Sequence, residues 1–141
     1  MTPEDKELLL KDLCGRLSHG IEISLTDGTS GIITSISIVP HGTFVTVYFD
    51  RDNVEDVPLE DVKPYLRPMS SMTYEEYRDG YNLGICLAYK DKKRVFDGIH
   101  GVGIEGQINA FDWLNAHHFD YRGLIEKRLA LEASEGMYKN E

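Results

Sequence analysis

The chain is poor in anything that could cross-link it. Its two cysteines, Cys14 and Cys86, lie far apart in apolar contexts with no CxxC pair. That argues against a disulfide scaffold or a thiolate knuckle, and the two read as reduced, buried thiols. Long apolar runs are missing as well. No stretch approaches the roughly 18 residues needed to cross a bilayer, and no basic start precedes an apolar run. These absences predict a cytoplasmic chain with no membrane partner. Basic residues are scarcest where the β pattern is strongest: between Glu22 and Asp61, Arg51 stands alone against eight acids. Nearly all of the net charge of −9 therefore sits there. Neutralising phosphates is the main source of affinity for nucleic acid, so direct nucleic-acid binding by this face is not expected. The one basic run, Lys90 to Arg94, reads as a solvated turn.

What is present fits a single α+β domain of 141 residues. A fold of that length buries roughly 68–70% of its unfolded surface and needs no staple. The expected parts are an N-terminal helix over 1–19, a small antiparallel SH3-like barrel or curled sheet over 20–68, and an α+β part over 69–141 that ends in a helix-turn-helix lid. Thr2-Pro3-Glu4-Asp5 is a helix start, and Leu9, Leu10, Leu13 and Leu17 recur at helical spacing, with Lys6, Lys11 and Arg16 on other faces. From Ile21 the period shortens. Alternation over 21–25, a turn at Asp27-Gly28, a β-branched run to Val39 and a break at Pro40-His41-Gly42 write successive strands. Phe44 to Phe49 is the next strand and Asp50-Arg51-Asp52-Asn53 the next turn. VPLEDVKPYL then reads as a strand, one helical turn and another short strand, as SH3-like barrels often finish. This is an analogy of shape only. Beyond the linker KPYLRPMSSM, Thr73 to Glu76 is a capping box. Strands are expected at Ile85–Tyr89 and Arg94–Phe96, with a mobile glycine-rich loop over Gly98–Gly106. A helix from Gln107 should bury Ile108, Phe111, Leu114 and His118. Asp120 should cap a second, short helix, and an extended tail should follow Lys127.

No reaction is written in these residues. Gly101 to Gly106 matches G-x-G-x-x-G, but a dinucleotide site needs a βαβ unit for which too little chain remains. His117, His118 and Asp120 invite a metal, yet adjacent helical histidines point about 100° apart, and useful pairs sit at i and i+4. Asp50, Asp52 and Asp56 begin like a calcium loop, but Glu55 stands where glycine is required. Ser70 and Ser71 lack a strained elbow. Tyr74, Tyr77, Tyr81 and Tyr89 have no flanking bases to support stacking on nucleic acid, and read as packing or a protein-contact surface.

Three blocks carry a resemblance: MTPEDKELLLKDLCGRL at 1–17, KPYLRPMSSMT at 63–73 and DWLNAHHFDYRGLI at 112–125. They are similar to uncharacterised proteins encoded by gut anaerobic bacteria and their prophages. In several members of that group a glycine or proline stands just beyond the LI, where this chain has Glu126, Lys127 and Arg128; this implies that the second helix ends early in the group and leaves open whether it runs longer here. The resemblance implies a mobile-element setting and assigns no site residues.

The sequence therefore points to a non-catalytic interaction module with a protein partner and no cofactor or metal. Its candidate surface is Trp113, His117, His118, Asp120, Tyr121 and Arg122. The alternatives are a small-ligand binder or enzyme at the His117–Asp120 turn, and an acidic mimic of nucleic acid that would use Asp50, Asp52, Glu55 and Asp56.

Overall fold

Thr2 opens the first helix as its sequence predicts. In the computed structural model, which describes residues 1–50 and 53–138, the Thr2 hydroxyl accepts from the Asp5 amide at 3.1 Å and caps α1 (Pro3–Arg16). Gly20, in the left-handed region, ends the helical turn Leu17–His19 that follows. Leu9 and Leu13 are fully buried. Two expectations for this helix are reversed. Arg16 is not on a polar face but completely buried, its Nε 2.8 Å from Asp12 Oδ2 and its Nη2 3.1 Å from Oδ1. Cys14 is exposed and Cys86 half-buried. Residues 9, 12, 13 and 16 share one helical face, and position 14 lies about 100° round from 13. The ion pair simply continues the leucine stripe.

By compactness the chain forms two units, and each is described separately. The first comprises Met1–Leu66 and Leu124–Glu132. It holds α1 and a sheet of β1 (Glu22–Leu25), β2 (Ser30–Val39), β3 (Gly42–Asp50), β4 (Asn53–Pro58) and β5 (Val62–Leu66), completed by two residues near the C-terminus, Leu131–Glu132. The order is β4-β3-β2-β1-β5 and then Leu131–Glu132. Every pairing is antiparallel except the last, in which Tyr65 faces Leu131 and Leu66 faces Glu132 in parallel. The expected single helical turn between strands is present at Leu59–Asp61. Lys6 Nζ lies 2.8 Å from Glu60 and ties α1 to that turn; the hydrogen bond from Lys6 holds the Glu60 carboxyl below its ordinary value. At the predicted turn the Asp27 carboxylate accepts from the Thr29 amide at 2.9 Å. Ile23, Ile33, Val45, Val47, Val62 and Leu66 are buried strand residues, and Ile21 and Leu59, outside the strands, are buried as well. Among the described residues the sheet is open, with β4 and Leu131–Glu132 at its two ends and no closed barrel. Arg51 and Asp52 of the expected β3–β4 turn lie outside the described residues.

The second unit comprises Arg67–Gly123 and the chain from Ala133 on. The capping box is complete: the Glu76 amide donates to Thr73 Oγ1 at 3.1 Å and Glu76 Oε1 accepts from the Thr73 amide at 2.9 Å. It starts α2 (Tyr74–Asn82), which runs through Gly80 to Asn82. Gly84, at φ +95°, then turns the chain into β6 (Ile85–Lys90). That strand pairs with β7 (Lys93–Ile99) across the basic run, where Asp91 and Lys92 both have positive φ, as a two-residue hairpin turn of the mirror-image kind requires. The glycine-rich stretch is more regular than its composition predicts. Gly98 and Ile99 belong to β7, and Ile104 to Gly106 begin α3 (Ile104–Ala116). A Cβ on Gly106 would come within 2.6 Å of Val102 Cβ, so close packing explains a glycine inside a helix. Two antiparallel strands precede G-x-G-x-x-G, not the parallel unit that a dinucleotide needs.

The core of this unit is Met69, Met72, Ile85, Ala110, Leu114 and Phe119, with Tyr77, Trp113 and Tyr121 among the partly buried residues around it. The helical face that periodicity predicts is buried only in part: Leu114 and His118 are buried, together with Ala110 and Asn115, while Ile108 and Phe111 are 56% and 36% exposed. Nor does Asp120 cap a second helix. Its amide donates instead to the Arg67 carbonyl at 2.8 Å, and His118 adopts a φ of +63° that breaks the helix. Back in the first unit, the tail makes non-helical turns, with the Leu129 amide bonded to the Leu124 carbonyl at 2.9 Å, before the short strand Leu131–Glu132, which we label β8.

Candidate functional site

The six candidate residues all fall in the second unit, at the end of α3 and in the irregular chain after it. Helix α3 ends where the His117 amide returns to the Trp113 carbonyl at 3.0 Å. The His117 ring does the same: its Nδ1 lies 2.9 Å from the Trp113 carbonyl oxygen, and the ring stacks on the indole at 4.2 Å and 29°. Positions four apart on a helix make this contact directly. Since φ at His118 is positive, the next side chain leaves in another direction. The His118 ring is only 8% exposed and stacks on Tyr138 at 3.7 Å. The two histidines thus have separate aromatic partners.

Beneath them lies a residue that motif reading passes over. The Arg67 backbone bridges both sides of Phe119, donating to the His118 carbonyl at 2.7 Å and accepting from the Asp120 amide at 2.8 Å. Its guanidinium lies 4.2 Å from the centre of the Phe119 ring. It donates to both Glu76 oxygens, at 2.8 and 2.7 Å, and reaches the His117 carbonyl at 3.3 Å. Burial pushes the Glu76 carboxyl up. The Arg67 hydrogen bonds, the Thr73 amide and the positive charges nearby outweigh it and hold the group below its ordinary value. Glu76 therefore caps α2 and anchors Arg67 with the same carboxylate. The signal in sequence was weak: an arginine before a proline, and the last residue of a capping box.

Tyr121 and Arg122 form the other end of the group. The Tyr121 hydroxyl donates to Asn115 Oδ1 at 2.9 Å and accepts from Arg122 Nη1 at 3.0 Å. Its ring packs on Phe96 and Phe111 at 6.0 and 5.2 Å. Asp120 is 8% exposed. The arrangement stacks and pins side chains. Among the described residues no group of three or more His, Cys, Asp or Glu is placed to hold a metal ion, and no helix is long and apolar enough to cross a membrane.

Phe111 apart, the exposed large apolar groups are not among the residues that contact this site. In the first unit, Ile32 pairs with Tyr48 and Tyr48 with Val54, making one row across β2, β3 and β4. These residues are 39%, 37% and 53% exposed. Their strand neighbours Ile33 and Val47 point to the opposite, buried face. Each residue is unremarkable in sequence, and only the strand register assembles them. In the second unit, Ile104, Ile108 and Phe111 are exposed at helical spacing along α3, and Tyr74 and Tyr81 along α2. No family model, curated protein or solved structure matches the chain.

Proposed function

We propose that this chain is a non-catalytic protein-interaction module of mobile-element (prophage) origin, acting in the cytoplasm. The observation that carries the reading is the exposed row Ile32–Tyr48–Val54. Three large apolar side chains in register on one sheet face are what an interface core uses, and they are costly to leave in water without a role. The strand order β4-β3-β2-β1-β5, with a helical turn between β4 and β5, supports an SH3-like reading of the first unit. Such folds host many functions, so the face carries the argument and the topology does not.

The test is affinity capture from a lysate of the native host, with mass spectrometry. One protein should be recovered saturably and in proportion to the bait, and recovery of the bait alone under gentle lysis rejects the module. A second reading, the acidic mimic, is favoured by exposed Glu55 and Asp56 on β4. It predicts that neutralising Asp50, Asp52, Glu55 and Asp56 together abolishes capture; Asp52 lies outside the described residues. The enzyme or ligand-binder reading at His117–Asp120 has less support, because His117 is stacked on Trp113 and His118 on Tyr138.

A further inference from the structure

We infer that β4 is the docking edge of the module and accepts a basic, extended segment of a partner protein as an added strand. The inference rests on the interaction-module reading and names the partner's chemistry. Strand β4 stands at one end of the sheet, so the backbone groups on its outer side make no ladder within the sheet. All of its side chains are exposed except Val57, which is half-buried. A peptide laid on such an edge gains main-chain hydrogen bonds from the strand and selectivity from alternate side chains.

The two faces of β4 differ. Val54 and Asp56 lie on one face, in register with Tyr48 and Thr46 of β3. Asp56 is held there by the Thr46 hydroxyl, which donates to it at 2.6 Å. Glu55, opposite Val47, points to the other face and is nonetheless exposed. An incoming strand would therefore set one row of side chains against the apolar row that ends at Val54. Its other row would lie against Glu55. Charge decides the occupant. A second copy would bring its own Glu55 and Asp56 against these, and like charges facing one another across strands are destabilising. Because the segment Glu22–Asp61 carries eight acids against Arg51 alone, the complementary strand is basic, with apolar residues at alternate positions.

The test uses the full chain and fluorescein-labelled decapeptides at physiological salt, read by anisotropy. A Lys–Val alternating peptide should bind about tenfold more tightly than a Lys–Ser peptide of equal charge, because only the first brings apolar groups to Val54. A Glu–Val peptide should not bind. Methylating alternate backbone nitrogens of the Lys–Val peptide should abolish binding, and the amides from Val54 to Val57 should exchange more slowly in the complex. The substitutions Val54→Ser and Glu55→Lys alter exposed side chains, and each should weaken binding about fivefold or more with the thermal midpoint unchanged. Equal affinity for the Lys–Ser peptide, indifference to methylation, or no binding by the Lys–Val peptide would overturn the inference. If the host partner is captured equally by wild type and by both variants, the edge is wrong and the module stands. If nothing is captured and no peptide binds, both fall.

Discussion

Arg16 and Arg67 solve the same problem in the two units, placing a guanidinium among apolar groups by giving it a carboxylate within reach. The Asp12–Arg16 pair has no exposed side-chain surface. Removing one partner, as in Asp12→Ala, should cost about 3–5 kcal/mol, because a buried charge loses its counter-ion. Replacing both (Asp12→Leu with Arg16→Met) should recover most of that loss, and denaturant midpoints of the three variants measure it. The Arg67–Glu76 side chains are 22% and 19% exposed, so breaking that pair should cost less, about 2 kcal/mol. Arg67→Lys should not restore it, since an ammonium can neither fork to both oxygens nor lie flat on Phe119. The pH dependence has a definite sign. The folded Glu76 carboxyl titrates below its ordinary 4.5, so its stabilisation is fully present above that value and is lost as the pH falls through the lower, folded one. The stability gap between wild type and Glu76→Gln should therefore narrow in acid. Trp113, the one tryptophan, reports it by fluorescence from within the same unit.

At the scale of elements, the places where local chemistry speaks alone are the ones the sequence reveals. Thr2 and Thr73 cap the helices they predict, because a cap bond joins residues three apart. Thr73→Ala should cost about 1 kcal/mol, visible in the denaturant midpoint and in faster amide exchange over the first turn of α2. Gly84 is a stronger case. Its φ of +95° disfavours any side chain, and a Cβ would lie 2.7 Å from the His100 carbonyl oxygen. Gly84→Ala should therefore destabilise by more than about 1 kcal/mol, with loss of protection at the His100 amide, which bonds to the Gly84 carbonyl at 2.8 Å. Helix α3 shows where local reading stops. Apolar residues occur on more than one of its faces, and periodicity favours Ile108 and Phe111. Packing buries Ala110 beside Leu114 instead, and the glycine at 106 leaves the room that Val102 occupies.

For the molecule as a whole, the edge of the open sheet at β4 is the feature that bears on association. A strand that ends a sheet invites self-association unless charge or proline guards it, and β4 has Glu55, Asp56 and Pro58. Neutralising the two acids (Glu55→Gln with Asp56→Asn) while leaving Ile32, Tyr48 and Val54 in place should increase self-association. Sedimentation velocity and light scattering at rising concentration would measure it, and an unchanged monomer would show that the acids do not guard the edge. The first unit gives way to the second at Leu66–Arg67, within the proline-punctuated stretch 63–73. Nothing in the composition of 124–132 announces a return to the first unit.

The sequence alone determined the starts of α1 and α2, the turn at Asp27, the strand–turn–strand run through Leu59–Asp61 and the acidity of the sheet, since each depends on neighbours in the chain or on composition. Only the tertiary structure decided that Asp12 and Arg16 are buried together, that Arg67 spans Glu76 and Phe119, and that β8 pairs in parallel with β5. The register that sets Ile32, Tyr48 and Val54 in one exposed row was decided there as well. Those arrangements join residues many positions apart, and the free energy that selects them comes from shared packing and hydrogen bonding that no single stretch contains.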